Sequence, residues 1–284
     1  MKKTIIKSFS ISSAVIAGIF TFVPEALFGG IAWLKQEFID QTCFKEIDAN
    51  DINIVISRLL CFFSVYLIVL IGLGLFKVLK RCIKIKGDNY IIQIEYGDIL
   101  KVKNCKRVFN FDECFTTEVG DTIAAINPNS ICGQYLKSNP SIDINSLIES
   151  SGIKPAKSKS KYQGKVRYTS GTIVPNGDDL LLAFVPLDEK GKGRFDSRDE
   201  YLECLKKLWE ELENYYSEND VCIPILGAGT TVFEGGNGAS ISQQELLDII
   251  VKSYELSSHK IKAPHKLRIV CRKNDGFSIN KMGE

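Results

Sequence analysis

VCIPILGAGTTVFEGGNG, residues 221–238, decides how the second half of this chain is read. An apolar run, Val221 to Leu226, ends in Gly227-Ala228-Gly229, two threonines, Phe233 and three more glycines, and a helical pattern begins near Ser242. The order is buried strand, glycine loop, helix. Glycine has no Cβ and tolerates positive φ, so such a loop lets backbone N–H groups crowd around an anion. Phosphate is the usual guest. An ordinary strand-to-helix connection is the competing reading of these residues alone.

Working outward, strand and helix patterns alternate. Arg198 to Tyr216 carries Tyr201, Leu202, Leu205, Leu208, Trp209, Leu212 and Tyr215 at helical spacing, a core-facing stripe. Before it, Lys165 to Val174 and Leu180 to Val185 read as strands joined through an Asn176-Gly177 turn. After the glycine loop come a helix, Ser242 to Leu256, and a last strand, Lys266 to Arg272. Nearer the N-terminus, Tyr90 to Glu95 reads as a strand leading into Gly97-Asp98-Ile99, where Gly97 permits a tight turn and Asp98 can accept hydrogen bonds. Arg107 to Phe111 is another strand, with Asp112 and Glu113 at its exit marking a site or a cap. Gly120-Asp121-Thr122 reads as a loop entering a helix with Asp121 as N-cap, and helical fragments follow at 130–137 and 142–150. Lys154, Lys157, Lys159 and Lys161, spaced by Ser, Pro and Ala, form a solvated loop; no aromatic interleaving marks nucleic-acid binding. Such alternation predicts a mixed α/β sheet with helices on both faces, whose ligands collect beyond the strand ends.

The first 80 residues follow another solvent's rules. Residues 59–76, LLCFFSVYLIVLIGLGLF, contain no charge and at helical rise cover about 27 Å, the thickness of a hydrocarbon core. Residues 11–34 are also nearly all apolar, and they continue past a signal-peptide cleavage site near Ala26. The expectation is a transmembrane hairpin over 1–80, with spans of about 11–34 and 54–76, then a basic linker at 81–87, a ligand-sensing α/β domain at 88–276 and a tail at 277–284. Lys2, Lys3 and Lys7 precede the first span, and Lys77, Lys80, Arg81, Lys84 and Lys86 follow the second, while the short loop between is acidic. Basic flanks stay in the cytoplasm, so both termini are expected there, and the basic linker favours anionic lipid headgroups. Pro24 and Glu25 fall inside the first stretch. Glu25 is either a pore-lining or oligomer-facing carboxylate, or a headgroup-level residue of a broken helix. Arg58 can snorkel to the outer interface.

Composition closes other doors. Net charge is +2 over 284 residues, an average that hides the apolar first part and the charged second. The nine cysteines are odd in number and never in CxxC spacing, which suggests neither a disulfide framework nor a zinc site and fits a reducing compartment. Two histidines leave little material for triads or metal cages.

With these pieces in order, residues from about 85 to 275 resemble a macro domain, the α/β/α module that binds ADP-ribose. Gly97-Asp98-Ile99 matches the family's early turn, and the resemblance assigns Asp98 to the adenine amine. Asn110, in RVFNFDECF, takes the first asparagine's place in the family's Asn-Ala-Ala-Asn strand end. Asp112 and Glu113 stand where the second, tied to the distal ribose and to hydrolysis, is absent. Gly120, Asp121 and Thr122 represent the first phosphate-side loop. Gly227, Ala228, Gly229, Thr230 and Thr231 represent the second, with Phe233 beside the distal ribose. The layout behind a membrane hairpin is similar to the membrane-macro effectors of type II Thoeris anti-phage defence. That resemblance implies a bacterial inner-membrane protein and an ADP-ribose-derived ligand, such as a histidine adduct, made from NAD by a partner TIR-domain enzyme. It further implies ligand-induced homo-oligomers that damage the membrane. No cofactor, metal or catalytic residue is expected on this reading. The alternative is a membrane-anchored ADP-ribosyl hydrolase or NAD-cleaving enzyme, with Asp112, Glu113 and Asp121 as its acid/base carboxylates. A scaffold whose glycine loop binds nothing is the third.

Overall fold

The computed structural model describes residues 2–28, 33–39, 47–233, 241–273 and 277–281. The chain divides into two compact units, Met1–Lys80 and Arg81–Glu284.

In the first unit, helix α1 (Lys2–Phe22) packs on helix α3 (Ala49–Leu79), with the short helix α2 (Gln36–Ile39) between them in sequence. Two stretches, Ile5–Phe22 and Ala49–Phe76, are helical, long and apolar enough to cross a membrane by length and composition. Within the apolar run 11–34 the long helix α1 therefore ends at Phe22. Pro24 lacks the N–H that would continue the helix, and Glu25 starts a separate single turn. Glu25 pairs with Arg58 of α3 at 3.0 Å, and the guanidinium lies over the rings of Phe20 and Phe28 at 5.4 and 5.6 Å. This is the broken-helix arrangement, and Arg58 meets a carboxylate of its own hairpin. Asn53 of α3 exchanges two hydrogen bonds with the Leu34 backbone, and Trp33 Nε1 donates to Ser57 Oγ.

The second unit is built on one sheet. Its strands are β1 (Cys82–Lys86), β2 (Ile91–Tyr96), β3 (Lys106–Asp112), β4 (Ile173–Asn176), β5 (Asp179–Val185), β7 (Val221–Pro224) and β9 (Leu267–Cys271). Between β3 and β4 lie helices α4 (Ile131–Ser138) and α5 (Ile144–Ser150). Arg194–Phe195, strand β6, pairs in parallel with Val232–Phe233, strand β8, as a separate two-stranded ribbon. Helix α6 (Arg198–Tyr215) leads into β7, and helix α7 (Gln243–Leu256) leads into β9. The strand order is β1-β2-β9-β7-β3-β5-β4, with the inner five parallel and the two edges antiparallel to their neighbours. The period-2 alternation of strand side chains sorts the core into two layers. Ile92, Ile94, Val221, Ile223 and Ile269 face α6 and α7, while Phe109, Phe111, Leu181, Ala183 and Val270 face α4 and α5.

Three segments depart from the sequence expectations. Residues 81–87, expected as a linker, contain β1: Ile83 and Ile85 pack on the core while Lys84 and Lys86 stay exposed, so the pattern is that of an amphipathic edge strand. Lys165–Thr172 is irregular, and strand β4 begins only at Ile173. Its arginine is held by side-chain bonds: Arg167 reaches Glu113 and the Ser158 carbonyl. The expected helix after Asp121 does not form there; α4 starts ten residues later, capped by Ser130, whose Oγ accepts from Gly133 N at 3.0 Å.

Candidate functional site

The inner parallel strands all end on the same side, and their loops frame a cleft of about 630 Å³. Its floor is Asn110 to Asp112 at the exit of β3 and Pro224-Ile225 at the exit of β7. The walls are four segments that the chain brings from far apart: 120–132, 185–193, 227–231 and 270–272.

The glycine loop is built for close approach. Gly227 is buried and has φ of +87°, a left-handed conformation that disfavours a side chain. A Cβ there would also lie 2.8 Å from Phe233 Cζ. The amides of Gly227, Gly229, Thr230 and Thr231 have no hydrogen-bond partner among the described residues. A buried amide without a partner costs free energy, so Gly227 is poised for an acceptor supplied from the cleft. Opposite stands the loop 119–126, closed at its base by Gly120 N donating to the Ile126 carbonyl and Ile126 N donating to the Glu118 carbonyl. Asp121, Thr122 and Ile123 project from it, all exposed. The segment 187–193 packs so tightly on this loop that a Cβ on Gly191 would lie 2.7 Å from that of Ala124.

Of the residues singled out in the sequence, Asn110, Gly120, Asp121, Thr122, Gly227, Ala228, Gly229, Thr230 and Thr231 line this one cleft. Asp98 and Phe233 do not. Asp98 accepts from Leu100 N at 3.2 Å, capping a turn, and its nearest cation is Arg272 at 3.9 Å. Arg272 itself lines the cleft. Phe233 is 8% exposed and stacks on Phe195 at 5.6 Å and edge-on to Tyr201 at 5.3 Å. Its ring supports the glycine loop from the core side, in a strand, β8, that pairs with β6, rather than lining the cleft beside the expected ribose.

The carboxylates at the exit of β3 have different duties. Asp112 lines the cleft, and its Oδ1 accepts from Cys114 N at 2.8 Å and Thr116 N at 3.3 Å. Burial pushes its pKa up, against those hydrogen bonds, which pull it down. Glu113 points away from the cleft. At 1% exposed it pairs with Arg167 at 2.9 Å and accepts from Ser160 Oγ at 2.5 Å and Leu187 N at 3.3 Å. It is the clasp that pins the 156–168 segment and the start of 187–193 to β3.

Sequence reasoning missed Lys192, Arg272, Gln243 and the Asn129-Ser130 start of α4, which complete the lining. Arg272 alone carried a signal, as the polar residue leaving the last strand. Among the described residues no cluster of His, Cys, Asp and Glu has the makings of a metal site.

Comparison with known proteins places the chain. A Thoeris protein ThsA from Bacillus amyloliquefaciens (strain Y2) is 28% identical over 89% of this chain and 92% of its own length. Among solved structures, a macrodomain of Oceanobacillus iheyensis determined with ADP aligns over 68% of this chain and 89% of that one, at 12% identity and a TM-score of 0.39. The family profile described as "Thoeris protein ThsA, Macro domain" matches residues 92–272, which take in the whole cleft, and on that match the chain belongs to the ThsA macro-domain family.

Proposed function

We propose that this chain is a ligand-gated membrane effector of anti-phage defence whose cleft senses an ADP-ribose-derived signal. The observation that carries the reading is the run of amides at Gly227, Gly229, Thr230 and Thr231, unpartnered among the described residues, in a loop that lines the cleft together with residues 120–127. Convergent N–H groups suit a diphosphate, which spreads its charge over several acceptors. Family membership supports a Thoeris role, and with it a TIR-domain enzyme as the source of the signal, a histidine adduct of ADP-ribose being one candidate. The two apolar helices support a bacterial inner-membrane anchor, with both termini in the cytoplasm by the distribution of basic flanks. Binding acts by favouring a self-associated form, since a ligand indifferent to the two states shifts nothing. The associated helices then disrupt the bilayer.

Calorimetry of the full-length chain in nanodiscs with ADP-ribose tests the input. Saturable binding is expected; no binding of ADP-ribose or its amino-acid adducts refutes the sensor reading. A second reading, hydrolysis of an ADP-ribose linkage, draws on one observation: a cleft carboxyl, Asp112, raised by burial as a general acid requires. Against it, Asp112 is tied to two amides and Glu113 to Arg167. Release of free ADP-ribose from ADP-ribosylated protein, lost in Asp112→Asn, would favour the enzyme.

A further inference from the structure

We propose that Tyr201 is a positioning residue of the cleft, turning the Gly227 amide outward as an anion donor. The inference rests on the reading of the cleft as a diphosphate site. Tyr201 belongs to α6 and is fully buried, and in the sequence it is simply one member of a core-facing stripe. Its hydroxyl does what a leucine or phenylalanine there could not: it donates to the Leu226 carbonyl at 3.0 Å. That carbonyl belongs to the peptide joining Leu226 to Gly227, which is trans. In a planar trans peptide the C=O and the following N–H point in opposite directions. Fixing the Leu226 oxygen toward the core therefore aims the Gly227 N–H away from it, to the side that lines the cleft. Among the described residues this buried amide has no acceptor, which agrees with that direction.

Ring packing holds the arrangement. Phe195, Phe233 and Phe184 surround the Tyr201 ring with centroids at 5.4, 5.3 and 6.0 Å. Phe233 in turn fills the space a Cβ of Gly227 would need. Without the hydroxyl, the buried Leu226 carbonyl has no donor left among the described residues, and the peptide can rotate at Gly227, which tolerates both hands of φ. The donor would then leave the cleft without any change in the cleft's side chains.

Tyr201→Phe removes one oxygen and keeps the ring. In full-length protein in nanodiscs, we expect it to weaken binding of ADP-ribose and of inorganic pyrophosphate by a common factor of about ten, the worth of one hydrogen bond to a charged group. Adenosine, which has no phosphate, is titrated alongside and is expected to behave as with the wild-type chain. The ratio of ADP-ribose to adenosine affinity is the readout that a general loosening of the core would leave unchanged. Equal loss for all three probes, or ADP-ribose affinity within about twofold of wild type, overturns the inference. Failure of the wild-type chain to bind ADP-ribose or pyrophosphate overturns the diphosphate reading as well. Wild-type binding that survives Tyr201→Phe overturns the positioning role alone.

Discussion

Gly229 and Gly227 separate the two things a glycine can do in such a loop. A Cβ on Gly229 would meet nothing within 4 Å, so Gly229→Glu fits the fold and places a negative charge where the diphosphate is expected. Like charges brought together on binding cost several kcal/mol, so affinity for ADP-ribose is expected to fall at least about a hundredfold with the melting temperature unchanged. Gly227→Ala is different: positive φ and the Phe233 ring both oppose it, and denaturant unfolding is expected to show a loss of about 1–3 kcal/mol. Asp112 supplies a pH-dependent prediction. Burial raises its pKa in the folded protein, so its contribution to stability is complete below the ordinary aspartate value and is lost as pH rises through the raised one. Asp112→Asn keeps the acceptor for Cys114 N and Thr116 N, and is expected to raise the melting temperature at pH 7.5 and leave it unchanged at pH 3.5. At this scale the sequence revealed residue types and their spacing. It did not reveal that Glu113 turns to Arg167 while its neighbour Asp112 faces the cleft, because strand geometry alternates adjacent side chains but only pairing and packing decide what each face meets.

At the scale of elements, the chain passes from the last apolar helix into the sheet through an edge strand. Leu79 ends α3 and Cys82 begins β1, whose Ile83 and Ile85 pack on the core and whose backbone pairs with β2 throughout. Ile83→Asp with Ile85→Asp should undock β1 and uncouple the units: ADP-ribose binding by calorimetry is expected to persist while ligand-triggered dye leakage from proteoliposomes is lost. The α1–α3 hairpin makes the contrary prediction for its carboxylate. Glu25 lies beyond the end of α1 and is paired with Arg58, so Glu25→Gln is expected to retain ligand-triggered leakage. Abolished leakage would restore a path-lining role for that side chain. Amphipathic elements such as α6 were legible from spacing alone, whereas β1 was masked by the basic residues that flank a membrane span.

For the whole molecule, a signal receptor must be more stable, or more associated, with its ligand than without. A ligand at a hundred times its Kd stabilises the form it binds by about 2.7 kcal/mol. Full-length protein in nanodiscs is therefore expected to melt at a higher temperature with saturating ADP-ribose, and proteoliposome leakage should rise more steeply than linearly with protein density if assembly precedes damage. Leakage strictly proportional to density would refute the assembly step.

The sequence by itself determined the apolar hairpin, the alternation of strand and helix, and the glycine loop after a late strand. Each is a local pattern: hydrophobic length, periodicity, or backbone freedom at named glycines. Tertiary structure alone decided that residues 110–112, 120–132, 185–193, 227–231 and 270–272 share one cleft, because the strand order β2-β9-β7-β3-β5 interleaves distant parts of the chain. It also decided that Asp98 caps a turn and Phe233 faces inward. Side-chain direction depends on pairing partners, β6 for β8, that no stretch of sequence contains within itself. The turn from β7 into Gly227 gains its meaning in the same way, from a tyrosine hydroxyl on α6 that bonds the carbonyl of one peptide.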